Sequence, residues 1–196
     1  MRTIADRVKV HEVTILSDDW YTLRKTSFAY RRADGTWQDL SRETYDRGNG
    51  AVILLYDLHH RKVLLTRQFR YPAFVNGHDD MLVEAPAGLL DEASPEERIR
   101  AEVEEETGYR VREVERLWDV FMSPGSVTER LFFFLGRYDP SDRLGEGGGE
   151  ADEGEDIEVL ELPFDETMRM VADGRIRDAK TIMLLQHAAL HLFGSP

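Results

Sequence analysis

The stretch GLLDEASPEERIRAEVEEETG, residues 88–108, decides how the rest of the chain is read. Its centre has the punctuation of one short helix. Ser94 is placed to cap the N-terminus, Pro95 suits the first helical position, and Glu97 completes a capping-box spacing. Gly108 supplies the residue most often found just past a helix end. At 3.6 residues per turn, Glu102, Glu105 and Glu106 share an arc of roughly a third of the circumference. Ile99 and Val103 lie beside that arc as an apolar stripe, and Glu104 points away. Like charges at this spacing repel by about 0.2–0.5 kcal/mol a pair, and the C-terminal end of a helix disfavours carboxylates. A helix selected only for stability would put its glutamates in the first turn. The alternative is a solvated acidic face, the commoner case for acid clusters; the doubled penalty argues that these acids face a cation.

At 196 residues the chain suits one domain with room for an appended segment. It has no cysteine, so disulfides and thiolate metal sites are excluded. The N-terminal residues MRTIADRVKVHEV lack the apolar run of a secretory signal. No segment approaches the ~20 apolar residues of a membrane span, so a soluble, cytoplasmic protein with no membrane partner is expected. A formal charge of −13 argues against nucleic acid as a partner. An anionic substrate would need divalent metal on the acids and a local group of arginines.

Around the helix, the pattern predicts strands at 10–16, 20–31 and 36–47, the last two joined by the hairpin dipeptide Asp34-Gly35. These carry few apolar faces and would make a thin sheet that packs on the main domain or on a second copy. Trp20 is read first as a packing residue, and Arg42 is either a solvated strand residue or a phosphate contact. Residues 51–56 form a continuous apolar run, as in a strand covered on both faces. Residues 62–71 continue as its partner, with Arg67 and Arg70 on opposite faces of a regular strand. Residues 81–86 lead into the small pair Ala87-Gly88, where backbone can approach a ligand closely. Further strands are predicted at 111–121, 131–135 and 157–162, and helices at 165–172 and 179–193. Asp178 is the cap of the last helix, with Ile182, Leu185, Ala189 and Leu192 as its packing face. His187 and His191 are four apart, without a following Glu or an evident third ligand. Residues 144–156 (LGEGGGEADEGED) hold six acids and five glycines. That composition predicts a flexible surface loop, able to deliver Glu155 to the acid cluster when substrate binds.

The acids at 102, 105 and 106 followed by Gly108 resemble the second half of the Nudix box, with Val103 and Tyr109 at its apolar positions and Gly88 opening the first half. Two departures accompany the match. The segment between the glycines is one residue short, and Ala101 stands where the pattern has Arg; Arg98 or Arg100 is the candidate substitute. The likeness extends through YDRGNGA, RQFR, AGLLD, SPG with Val127-Thr128-Glu129, DIEVLELPF and IRD-x-KT, which resemble the GDP-mannose pyrophosphatase branch of the Nudix hydrolases, close to the ADP-ribose pyrophosphatases.

The resemblance implies an α/β fold: a Nudix α/β/α sandwich with a mixed β-sheet over residues 48–196, preceded by an N-terminal antiparallel β region, residues 1–47, exchanged in a homodimer. It places metal ligands at the Ala87 carbonyl, Glu102, Glu106 and Glu155, with Glu105 as ligand or support. Substrate contacts fall on Trp20, Ser41, Arg42, Glu43, Arg70, Ala87, Gly88, Leu89, Glu129 and Lys180, with Trp20 stacking on the base from the partner subunit. Glu155 or its neighbour Glu153 is the candidate general base. An all-oxygen donor set of this kind suits Mg²⁺ or Mn²⁺. The implied activity is hydrolysis of a nucleoside diphosphate sugar, GDP-mannose giving GMP and mannose 1-phosphate, with ADP-ribose as the alternative substrate. A non-catalytic nucleotide-binding Nudix module is the alternative of another class; the costly acid set argues against it.

Overall fold

The computed structural model describes residues 3–90, 92–150 and 154–194. The chain forms two compact units, one made of Met1–Asn49 with Phe121–Arg130 and the other of Gly50–Val120 with Leu131–Pro196.

The first unit is built on an antiparallel sheet of β1 (Val8–Asp18), β2 (Thr22–Arg31) and β3 (Trp37–Asp46), in that order. The hairpin at Asp34-Gly35 forms as its sequence predicts. Gly35 takes a φ of 88°, and the Asp34 carboxylate accepts the Thr36 amide at 2.9 Å. The sheet is thin: of its strand residues only Ala29 is buried. Val10, Val13 and Ile15 of β1 stay more than half exposed.

The second unit is a mixed sheet. Its strands are β4 (Gly50–Asp57), β5 (Lys62–Gln68), β6 (Leu82–Glu84), β7 (Ala87–Leu89), β8 (Val114–Phe121), β9 (Arg130–Arg137) and β10 (Glu158–Pro163). The order is β10-β5-β4-β9-β8, with β6 paired to β5 and β7 to β4. β4 runs parallel to β9 and antiparallel to β5 and β7. The apolar run of β4 is central as its composition demands, with Ala51 to Leu55 fully buried. Alternation splits it between two layers. Ala51, Ile53 and Leu55 pack with Phe132 and Phe134 of β9 against Ile99 and Val103, and Ile99 lies on the helix α2 (Pro95–Glu102). On the other face Trp118 lies against Phe133 and His187, the latter on α4 (Ala179–His191). With α1 (Tyr71–Val75) and α3 (Phe164–Ala172), the unit is the α/β/α sandwich expected.

Two local expectations are corrected. The strand predicted over 62–71 stops at Gln68, because Pro72 starts α1 and Arg70 becomes its N-cap residue. The packing face of α4 is rotated: Thr181, Leu184, Leu185 and Ala188 are buried, and only Leu185 belongs to the face predicted. The small Thr181 sits inward because its hydroxyl is bonded on both sides, accepting the Ala85 amide at 2.7 Å and donating to Asp178 at 2.6 Å.

Candidate active site

The helix over the box begins as its sequence dictates. Ser94 caps α2, its hydroxyl accepting the Glu97 amide at 3.3 Å and donating to the Glu97 carboxylate at 2.6 Å. It does not end as one regular helix. Val103–Thr107 forms a π turn, closed by Gly108 at a φ of 72°. Glu102 and Glu106 are buried, Glu105 is half-buried and Glu104 is exposed. The acids therefore do face inward, as their spacing predicts.

Glu102 lies across the backbone of Gly88. A Cβ on Gly88 would fall 1.7 Å from Oε1 of Glu102, so only glycine leaves room for the carboxylate. β7 holds Gly88 in place by pairing it with Ala51, and Ala87 with Val52. Of the two candidates for the missing box arginine, Arg98 is the one that reaches the acids. Its Nη2 stands 2.5 Å from Oε1 of Glu102, its Nη1 3.8 Å from Glu105, and its Nε donates to the Leu89 carbonyl at 3.0 Å. Arg100 turns away to the carbonyls of Val111 and Arg112.

Glu106 is the most perturbed acid. Burial first, then the charges of Glu102, Glu155 and Glu84, push its carboxyl well above the ordinary glutamate range. Its Oε2 is buried without a hydrogen-bond partner. Next to it stands a residue that the sequence reading missed. Glu84, at the end of β6, divides its carboxylate between Arg70 (Nε to Oε1, 2.6 Å) and Lys180 (Nζ to Oε2, 2.5 Å). Lys180 also reaches Asp178 at 2.7 Å. Burial alone would raise the Glu84 carboxyl, but the Lys180 and Arg70 charges outweigh it and hold it below its ordinary value. One signal could have found it: a lone acid between Val83 and Ala85 in an apolar stretch requires a cation once that stretch is buried. Arg67, the other arginine of its segment, pairs with Glu158 at the surface.

The glycine-rich loop lies at the surface, as its composition predicts, with Leu144 to Gly147 exposed, and its described residues also make backbone contacts with the end of the box helix. The amides of Gly148 and Gly149 donate to the carbonyls of Glu106 (2.9 Å) and Glu105 (3.2 Å). These bonds meet carbonyls that the π turn would otherwise leave without partners. Glu155 is half-buried, and its charge acts on both Glu106 and Arg70. Glu153 lies outside the described residues.

The structure thus brings Arg70, Gly88, Leu89, Glu102, Glu105, Glu106, Glu155 and Lys180 into the second unit, with Ala87 on β7. Trp20, Ser41, Arg42, Glu43 and Glu129 belong to the first. There Trp20 is 78% exposed, Ser41 to Glu43 are exposed on β3, and Glu129 pairs with Arg47 at 3.6 Å.

The acid set fits a hard divalent cation. All its donors are oxygens, Glu106 carries a buried oxygen with no partner, and the three carboxylates of Glu102, Glu155 and Glu84 repel it. Among the described residues, no three His, Asp or Glu side chains stand close enough together to hold a metal ion as they are placed.

Comparison with known proteins agrees with this geometry. Residues 7–45 match the model of the GDP-mannose pyrophosphatase NudK N-terminal domain, and residues 46–185 match that of the NUDIX domain. A GDP-mannose pyrophosphatase of Pectobacterium atrosepticum is 56% identical over 184 residues, 93% of this chain and 94% of that protein. One of Klebsiella pneumoniae is 53% identical, over 88% and 87% of the two chains. Among solved structures, an ADP compounds hydrolase superposes with a TM-score of 0.70 at 17% identity, covering 95% of this chain and 94% of its own, a likeness of fold. By the extent of the NUDIX match and the identity to these relatives, the chain belongs to the Nudix hydrolases.

Proposed function

We propose that this Nudix hydrolase splits the pyrophosphate bond of GDP-mannose, giving GMP and mannose 1-phosphate, in a reaction that depends on Mg²⁺ or, alternatively, Mn²⁺. The observation that carries the reading is Glu106, a carboxylate buried among three others with one oxygen unpartnered. Such an arrangement is costly unless a cation shares it. The names of relatives at 50–56% identity over most of the chain supply the substrate.

Glu102, Glu106, Glu155 and the Ala87 carbonyl are the proposed ligands, and Glu105 supports them through Arg98. A divalent cation bound there would polarise the phosphoryl oxygens and acidify a bound water. Arg70 and Lys180 hold the diphosphate, each already aimed by one oxygen of Glu84. Glu155 is the proposed base, taking the proton of the water that attacks phosphorus while the bridging oxygen departs with the other phosphate. Trp20, Ser41, Arg42, Glu43 and Glu129 are the proposed contacts to base and sugar. A second copy of the chain is the proposed cover for the exposed apolar side chains of β1 and brings its Trp20 to the site.

The test is turnover of GDP-mannose and ADP-ribose, side by side, with and without Mg²⁺. Faster hydrolysis of GDP-mannose that stops on chelation is the result expected. Preference for ADP-ribose would overturn the substrate, and tight binding of both without turnover would make the chain a sensor module.

A further inference from the structure

We propose that Gly147 and Gly149 are positioning residues for Glu155: the glycine run is a backbone splint that fixes the loop carboxylate against the acids of the box helix. The inference deepens the metal-site reading above and rests on it.

The splint begins at the π turn. A helix end leaves carbonyls without intrahelical partners, and they must be met by water, side chains or other backbone. Here the loop meets them. Leu144 and Gly145 donate to the Gly108 carbonyl at 2.7 and 3.1 Å, Gly148 to Glu106 and Gly149 to Glu105. Such an approach of backbone to backbone leaves no room for a side chain at Gly147 or Gly108. A Cβ on Gly147 would fall 2.4 Å from the Glu106 carbonyl oxygen, and one on Gly108 would fall 2.4 Å from that of Gly145. Gly147 and Gly149 also take φ values of 71° and 75°, which side-chain-bearing residues rarely adopt.

From the splint the contacts run to Glu155. Its Oε2 accepts the Glu150 amide at 3.0 Å, and its own amide donates to the Glu150 carbonyl at 3.3 Å. The next anchor is the Ile157 amide, which donates to the Gly148 carbonyl at 3.2 Å. The Glu155 side chain lies over the bare Cα of Gly149, where a Cβ would meet its Oε2 at 2.4 Å and its Cβ at 2.9 Å. One short path therefore joins the carbonyls of Glu105 and Glu106, through two glycine amides, to the loop carboxylate. The acids on the helix and the acid on the loop move as one body, although some fifty residues separate them in the chain.

Two measurements test this. Amide exchange in the metal-free protein should show Gly148 and Gly149 protected; exchange at the rate of an unfolded peptide would overturn the splint. Calorimetric titration of Mn²⁺ into wild type, Gly147→Ala, Glu155→Gln and the double variant tests the positioning. Each single change should weaken binding by about tenfold or more, as supporting partners of ligands do. The double variant should be no weaker than the worse single by more than about twofold, because Gly147 acts through Glu155. Gly77→Ala, which carries the same positive-φ strain with nothing within 4 Å, should bind as wild type does. Losses that multiply in the double variant, or an unchanged affinity in Gly147→Ala, would overturn the positioning role alone. No Mn²⁺ binding by the wild type would overturn the metal-site reading and this role with it.

Discussion

Replacing Glu106 by Gln should act in opposite directions on the empty protein and on the working enzyme. In the metal-free state the Glu106 carboxylate is buried with one oxygen unpartnered and with Glu102, Glu155 and Glu84 repelling it. Leaving a buried polar atom unsatisfied costs about 1–3 kcal/mol, and more for a charge. Gln keeps the shape and removes the repulsion, so the metal-free variant should be more stable by about 1–2 kcal/mol at neutral pH. For a chain of this size that is a rise in Tm of about 2–8 °C. The pH dependence follows from the raised pKa in the folded state. Folding favours the protonated carboxyl, so its contribution is present in full below the ordinary value of 4.5 and is lost as pH rises through the raised value. The Tm difference between variant and wild type should therefore open as pH climbs above 4.5 and close below it. Mg²⁺ should reverse the order, stabilising wild type and leaving the variant nearly unchanged. The same substitution should lower kcat about a hundredfold or more, or about 2.7 kcal/mol. Thermal melts in chelator and in Mg²⁺, from about pH 4 to about pH 8, read all of this. A metal-free variant less stable than wild type, or one with an equal Mg²⁺ response, would refute the reasoning.

Glu84→Ala should destabilise the protein by about 1–3 kcal/mol in urea unfolding, because it leaves the buried Lys180 with Asp178 alone and the partly exposed Arg70 without its carboxylate. A loss below about 1 kcal/mol would show that the pair is solvated. Gly88→Ala drives a Cβ into the Glu102 carboxylate and should weaken Mn²⁺ binding about tenfold or more. Gly125→Ala, which meets nothing within 4 Å, should leave that affinity unchanged.

The parts of the fold that were legible in the sequence are those whose cause is local. The Ser94 cap, the Asp178 cap, the Asp34-Gly35 hairpin and the buried run of β4 each follow from residues within a few positions of one another. The inward acids were legible for a different reason, since three glutamates at a helix end carry a cost that calls for a cation. Glu84 was not, because its partners lie 14 and 96 residues away and no spacing announces them. The π turn has no periodic signature over five residues that separates it from an α turn. The contacts of Gly148 and Gly149 with the π turn were not legible either, because they are made by amides, which every residue has, and not by side chains. The rotated face of α4 has the same origin: Thr181 is drawn inward by hydrogen bonds to Ala85 and Asp178, whereas the apolar pattern pointed to Ile182.

The most direct measurement is the identity of the products. Wild-type protein should be incubated with GDP-mannose and Mg²⁺ in oxygen-labelled water and the products weighed by mass spectrometry. GMP and mannose 1-phosphate, one of them carrying a single labelled oxygen on phosphorus, are the expected result. GDP and free mannose, or intact GDP-mannose in the presence of bound metal, would contradict it.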